Sequence, residues 1–163
     1  MEIYLSQVLR RQIGQGLIEA LVALGAAVIV ISTIAVAVIT AVSNSDFSKN
    51  QNLAKTYAEQ GLESIRTQAR NDWASFSTLA VGQYCMAEGV SEVSGGPVTS
   101  CNKNINNLFV RSVDISTLNC GTGARKATVT VAWSDSKCAN DTDYCHNALL
   151  ETCLNNINSV PTP

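Results

Sequence analysis

The spacing of hydrophobic and polar positions singles out one stretch near the beginning of the chain. From Ala20 to Ser45 there is no charged residue over 26 positions. About 20 apolar residues suffice to cross the hydrocarbon core of a bilayer as a helix, so this stretch is long enough to span a membrane. Glu19 is a single carboxylate at its beginning, where a charge is costly and usually has a specific partner.

The pattern becomes amphipathic after this stretch, over residues 46–70. Apolar residues recur at spacings of three to four, with Lys, Glu, Gln and Arg between them: Leu53, Tyr57, Gly61 or Leu62, Ile65 and Ala69. This periodicity predicts a helix that packs one face on a β-sheet. A continuous helix over residues 15–70 and two helices broken near Ser43-Asn44-Ser45 both fit the pattern.

The remainder of the chain alternates between irregular and strand-like segments. Residues 74–107 are rich in Gly, Ser and Asn and contain the turn signal Gly95-Gly96-Pro97. Three runs with period-two alternation and β-branched enrichment follow, at residues 108–116, 127–133 and 146–154. They predict an antiparallel meander and an α+β fold class, in which a long N-terminal helix packs on a small sheet. The polar tail from Asn155 to Pro163 is expected to be loose.

Six cysteines, an even number, all lie beyond the apolar stretch. This distribution favours three disulfides and an oxidising compartment. Six cysteines allow fifteen connectivities, of which loop closure and strand adjacency favour one: Cys85 with Cys101, Cys120 with Cys153, and Cys138 with Cys145.

A metal site is the rival interpretation of the later cysteines. Three thiolates and an imidazole are available in principle, from Cys138, Cys145, His146 and Cys153. These residues lack the close Cys-x₂₋₄-Cys pair of structural zinc sites. The sequence therefore assigns no metal, and His146 is interpreted as a structural strand residue.

The beginning of the chain resembles a known family. Gly14-Gln15-Gly16-Leu17-Ile18-Glu19 and the apolar run after it resemble the N-terminal signature of type IV prepilins and pseudopilins. The stretch from Tyr57 to Arg66, followed by Asn71-Asp72-Trp73, is similar to the helix end of minor-pilin-like proteins. Two positions differ from the usual pattern, because Gln15 replaces Phe or Met and Val36 replaces a frequent Pro.

The resemblance implies a fold, a processing reaction and a role for Glu19. It implies a pilin-like architecture with a leader at 1–14, a membrane and filament-core helix at 15–45 and a globular domain at 46–163. A membrane peptidase would cut between Gly14 and Gln15, and the new N-terminus at Gln15 would be methylated. Glu19, the fifth mature residue, would attract the N-terminal amine of a neighbouring subunit.

The implied function is a structural subunit of a type IV pilus or pilus-like filament. Its partners would be other pilin subunits, the prepilin peptidase and an assembly platform with its ATPase. The chain would lie in the cytoplasmic membrane before assembly and then in an extracellular filament at the cell surface. Major pilin, minor pilin and secretion or competence pseudopilin remain open, as do adhesion, twitching motility and DNA uptake.

Two other interpretations of the N-terminus stay open. A secretory signal peptide would be cut after Ala37, although signal h-regions are normally about 7–15 residues long. A plain signal anchor would keep Arg10 and Arg11 in the cytoplasm. The corresponding alternative function is a single-pass membrane-anchored extracellular binding or adhesion protein that does not polymerise.

Charge and residue content argue against two further classes of function. Without residues 1–14 the chain has 9 basic and 12 acidic residues, a net charge of −3, which provides no basic footprint for nucleic acid. The sequence contains one histidine and no Gly-x-Ser-x-Gly motif. We therefore find no catalytic constellation and expect neither enzymatic activity nor a cofactor.

Overall fold

The computed structural model describes residues 2–139 and 144–156, with side chains from Gly16 onward. The predicted tail lies mostly outside the described residues. The chain forms two compact units, with the boundary between Ser45 and Asp46. The elements in chain order are α1 (Glu2–Asn71), α2 (Trp73–Ser77), β1 (Gly82–Cys85), β2 (Val110–Ser116), β3 (Arg125–Trp133) and β4 (His146–Leu154).

The secondary structure of the first part is one helix, α1, without the break near Ser43 that the sequence left open. No proline interrupts it, because the first proline of the chain is Pro97. Hydroxyl side chains inside the apolar part donate back to backbone carbonyls, as Ser32 does to Val28 at 2.8 Å. These bonds satisfy polar groups that an apolar environment cannot.

The end of α1 lies one residue beyond the predicted amphipathic helix of residues 46–70. α1 ends at Asn71, and the side chain of Asp72 accepts a hydrogen bond from the Ser75 backbone N–H at 3.0 Å. Asp72 is therefore the N-cap of α2. Phe76 on α2 is buried in the core, and the partly buried Trp73 packs beside it.

The sheet is antiparallel and has the order β1-β2-β3-β4. The three predicted strands form its meander, with Val113 opposite Val129 and Val129 opposite Leu150. The expectation that residues 74–107 are entirely irregular is wrong. This segment contains all but the first residue of α2 and the whole of β1, and β1 pairs with β2 through Tyr84 opposite Val113. Four residues are too few to show a period-two pattern, so β1 depends on its pairing with β2.

The core of the second unit lies between the sheet and the later part of α1. Every second residue of β3 is buried, at Ala127, Val129, Val131 and Trp133. The buried residues of α1 that belong to the same cluster are Ala54, Ala58, Leu62, Ile65 and Ala69. This arrangement confirms the α+β fold class, a long helix packed on a small antiparallel sheet.

Gly61 marks the closest approach of α1 to the sheet. A Cβ atom at this position would lie 3.0 Å from Val129 Cγ1 and 3.1 Å from Arg111 Cδ. The absence of a side chain therefore sets the distance between helix and sheet, and it leaves room for the long side chain of Arg111 between them.

Candidate functional site

The first part of α1 is apolar and fully exposed. Every side chain from Gly16 to Val42 is exposed, and the large apolar ones among them are 55–69 % exposed. Soluble monomers rarely expose contiguous apolar patches larger than a few hundred Å². This surface therefore needs lipid or an apolar partner.

The helix from Gly16 onward is long and apolar enough to cross a membrane, with a mean hydropathy of 2.8 in its most apolar window. Length and composition alone give this result, and a signal sequence near an N-terminus has the same properties. The core helix of a soluble protein would have them too, but it would be mostly buried, whereas 0 % of this window is buried. The helix therefore supports association of the chain with a membrane.

Glu19 is the one charged residue within this apolar surface. It lies on α1 and is exposed. In the described part of the chain, no hydrogen bond or ion pair involves its carboxylate. Gly14 and Gln15 belong to α1 by their backbone, but their side chains lie outside the described set. Gln15 precedes Glu19 by four residues, so the two positions share one face of the helix.

The second unit is held together by three disulfides. Cys85 is bonded to Cys101, Cys120 to Cys153, and Cys138 to Cys145. These are the pairs that the sequence favours, and no cysteine of the chain is free. The first bridge closes a loop after β1, the second joins the segment before β3 to the end of β4, and the third closes the β3–β4 hairpin loop.

The alternative metal site with Cys153 is wrong. His146 and Cys153 lie at opposite ends of β4, which places them about 23 Å apart at about 3.3 Å per strand residue. Cys153 is also bonded to Cys120. The residue that actually lies beside His146, Cys138 and Cys145 is Asp135.

Asp135 and His146 form a polar pair at the open end of the β3–β4 hairpin. Their Oδ1 and Nε2 atoms are 3.1 Å apart, and the Lys137 backbone N–H donates to the same Oδ1 at 2.8 Å. The rings of Phe47 and Trp133 lie 5.0 and 5.3 Å from the imidazole, centroid to centroid. The histidine is thus held between aromatic rings and one carboxylate.

The environment of Asp135 favours its charged form. Desolvation acts to raise the pKa of this carboxyl, but the hydrogen bonds from Lys137 and His146, together with their positive charges, hold the pKa below its ordinary value. Asp135 is not among the site residues that the sequence predicts. The signal for it was the arrangement Asp135-x₂-Cys138 before the turn and Cys145-His146 after it.

Arg111 is a buried cation that is also absent from the residues predicted from the sequence. Its side chain lies on the helix-facing side of β2, with only 4 % of the residue exposed. Desolvation lowers its pKa, which nearby Glu88 and Tyr57 act to raise. The guanidinium donates to three backbone carbonyls, those of Met86, Tyr57 and Ala87. Arg111 therefore positions the loop after β1 and is a structural residue.

Comparison of the chain with protein-family models, with curated proteins and with solved structures gives no match. The function therefore has to be inferred from the residues themselves. Two features carry that inference: an exposed apolar helix that contains one unpaired carboxylate, and a folded unit closed by three disulfides.

Proposed function

We propose that the chain is a structural subunit of a type IV pilus or pilus-like filament, held in a membrane before assembly and polymerised through its N-terminal helix. One observation carries the proposal. Glu19 stands five residues after Gly14, unpaired, at the beginning of a fully exposed apolar helix. Anchoring alone requires the apolar segment but gives no reason for a carboxylate inside it, since a charge there is costly.

The first step of the proposed mechanism is cleavage between Gly14 and Gln15. It removes Arg10 and Arg11, the two basic residues of the leader. It also creates an amine at Gln15, one helical turn before Glu19. The mature helix then begins with one positive and one negative group at the edge of an otherwise apolar segment.

The second step is pairing between subunits. In a low-dielectric filament core an unpaired carboxylate is strongly disfavoured. A neighbouring subunit removes this penalty if it places its N-terminal amine beside Glu19. This contact forms at only one axial offset between the two helices, so the pair selects the register of assembly. The competing local arrangement is a pair between Glu19 and the amine of its own Gln15, which also lies at the positive end of the helix.

Two further features suit a subunit whose helix lies in a membrane or filament core and whose folded domain lies outside the cell. Small residues recur along the apolar helix and permit close packing between helices: Gly16, Ala20, Ala23, Ala26, Ala27, Ala35, Ala37 and Ala41. The disulfides suit a domain that stays folded outside the cell, where oxidising conditions preserve them.

The test is a neutral substitution of Glu19, with filament assembly as the measured quantity. Glu19→Gln keeps the size of the side chain and removes its charge. We expect the association constant between subunits, obtained from the concentration dependence of sedimentation, to fall at least about tenfold, which corresponds to a loss of ~1.4 kcal/mol. Chain abundance in the membrane should stay unchanged.

Glu59→Gln provides the matched control, since Glu59 is an exposed glutamate of α1 in the second unit. This variant should assemble like the wild type. Normal assembly of Glu19→Gln would contradict the proposed pairing. A wild-type chain that stays in the membrane and never sediments as filaments would contradict the polymer and favour an anchored binding protein.

A further inference from the structure

β4 is an edge strand, and among the described residues its outer side pairs with no other strand. The sheet has the order β1-β2-β3-β4, and every residue of β4 pairs with β3 on its inner side. An edge strand presents backbone N–H and C=O groups with which a further strand can pair. The opposite edge of the sheet is partly closed, because the Val98 N–H donates to the Gln83 carbonyl of β1 at 2.7 Å.

β4 lacks the features that usually keep an edge strand from pairing with another chain. Protected edge strands are short, or they carry a proline, a bulge or charged side chains. β4 has nine residues, contains no proline and keeps an unbroken register with β3. Its Glu151 carboxylate is held by Lys126 Nζ at 2.6 Å, and Leu149 on the same side of the sheet is 53 % exposed. The edge is therefore open to a partner strand.

The hydrophobic core extends to this edge and is only partly covered there. Val129 and Val131 of β3 are completely buried. Their pairing partners on β4, Leu150 and Ala148, pack against the same core but remain partly exposed. A further strand beside β4 would cover them if its apolar side chains faced α1.

The end of β4 at Leu154 has an excess of positive charge. A cavity of about 210 Å³ lies there, lined by Arg66 and Arg70 of α1 and by Leu154. Glu63 pairs with both of these arginines, so the three charged side chains retain one positive charge. Arg125, which pairs with Leu154 between β3 and β4, adds a second. A carboxylate on a partner strand would be attracted to this end of the edge.

We propose that β4 binds an extended segment of another protein, which adds to the sheet as a fifth strand. The segment has apolar side chains at every second position, facing α1, and acidic side chains at the end beside Leu154. It runs antiparallel to β4, the slightly more stable form of pairing, so its acidic residues come first. This inference does not depend on the proposed filament function.

A second copy of this chain fits the edge less well than a different protein. If two β4 strands paired antiparallel, the parts of α1 that pack on the two sheets would run in opposite directions. Because α1 is one continuous helix, the apolar segments of the two copies could then not enter one membrane. The other edge of the described sheet, β1, has only four residues and is partly covered by Val98.

The experiment adds a synthetic peptide to the full chain in detergent. The peptide is acetylated and amidated, begins with two glutamates and continues with alternating valine and threonine. Binding is measured by fluorescence anisotropy, and hydrogen exchange of the β4 amides is followed by NMR. We expect saturable binding and slower exchange at every second amide of β4, since alternate residues of an edge strand direct their N–H groups outward. Two lysines in place of the glutamates should weaken binding at least about tenfold.

Variants of the chain test the charge at the Leu154 end. Arg66→Gln with Arg70→Gln should remove the preference for the acidic peptide. Lys49→Gln with Lys55→Gln is the matched control, because it also removes two exposed positive charges of α1, and it should keep the preference.

Two N-methylated forms of the acidic peptide test backbone pairing. Methyl groups on the alternate amides that face β4 prevent pairing, whereas methyl groups on the other alternate set do not. One form should therefore lose binding and the other should keep it.

The proposal is overturned if the acidic peptide does not bind, if both N-methylated forms bind alike, or if the arginine variant keeps the preference. It is also overturned if every β4 amide is protected before the peptide is added, because another segment of the chain or a second copy then already occupies the edge.

Discussion

The Nη1 atom of Arg111 lies 3.1 Å from the backbone carbonyl oxygen of Tyr57 and joins β2 to α1. The Nε and Nη2 atoms of the same guanidinium donate to the carbonyls of Met86 and Ala87 at 3.0 and 2.8 Å. The backbone of Arg111 is also paired, since its N–H donates to Asn104 Oδ1 at 2.8 Å. One buried residue thus connects the helix, the sheet and both ends of the loop between β1 and β2.

Arg111→Met tests this connection. Methionine fills similar space but leaves three backbone carbonyls without their donor, of which only the bond to Met86 is fully buried. A hydrogen bond to a charged group is worth about 1.5–3 kcal/mol. We expect the free energy of unfolding to fall by about 2–3 kcal/mol, measured by urea titration of the full chain in detergent. Arg66→Met, at an exposed arginine of α1, should change it by less than about 0.5 kcal/mol. Equal effects of the two substitutions would contradict the structural role of Arg111.

Gly61→Ala tests the closeness of α1 and the sheet. The new methyl group would lie 3.0 Å from Val129 Cγ1 and 3.1 Å from Arg111 Cδ, and overpacking a core typically costs about 1–3 kcal/mol. This exceeds the gain of about 1 kcal/mol in helix propensity, so the thermal midpoint should decrease. Gly25→Ala is the control, because no atom lies within 4 Å of its new Cβ. A higher thermal midpoint for Gly61→Ala than for the wild type would contradict a close contact between α1 and the sheet.

The regular elements could be predicted from the sequence because their patterns repeat over many residues. The face of α1 that includes Leu62, Ile65 and Ala69 follows the helical period, and β3 alternates at every second residue. β1 could not be predicted in this way, since its four residues are stabilised by pairing with β2 and not by a pattern of their own.

The residues of the candidate site also fall into two groups, those that could be predicted from the sequence and those that could not. Glu19 and the cysteines stand out in the sequence because a charge in an apolar run and an even cysteine count are both unusual. Arg111 does not, since a strand arginine is ordinarily exposed, and only the space beside Gly61 allows it to be buried. Asp135 gains its significance from His146, eleven residues later, and that contact exists only once the hairpin has formed.

The ionised Asp135 carboxylate in the β3–β4 hairpin contributes to the free energy of unfolding, and this contribution is lost in acid. Its folded-state pKa lies below the ordinary 3.8, so the unfolded chain binds a proton more readily. The resulting stabilisation is fully present above the unfolded pKa and is lost as the pH falls through the folded value. Asp135→Asn removes this titration.

The corresponding measurement compares thermal midpoints between pH 6 and pH 2. Below about pH 3.8 the midpoint of the wild type should decrease more steeply than that of Asp135→Asn. His146→Gln removes one hydrogen bond to the carboxylate and should also flatten the decrease. Parallel curves for all three proteins would contradict the role of the Asp135–His146 pair.

The three disulfides should contribute unequally to stability. In the chain-entropy model the contribution rises with the length of the closed loop. Sequence separations of 33 for Cys120–Cys153 and 7 for Cys138–Cys145 correspond to ~3.7 and ~2.4 kcal/mol. Replacing the first pair by serines should therefore lower the free energy of unfolding by about 1 kcal/mol more than replacing the second. Urea unfolding of the two double variants checks this order, and a reversed order would contradict it.

The central claim is that this chain is processed and assembled as a pilin-like subunit, and the N-terminus of the mature protein tests it most directly. The measurement is the intact mass and N-terminal peptide of the protein from the cells that make it. We predict a chain that begins at Gln15, with a methylated amine. A mature chain that begins at Met1, or at Val38 after removal of a secretory signal, would contradict the claim.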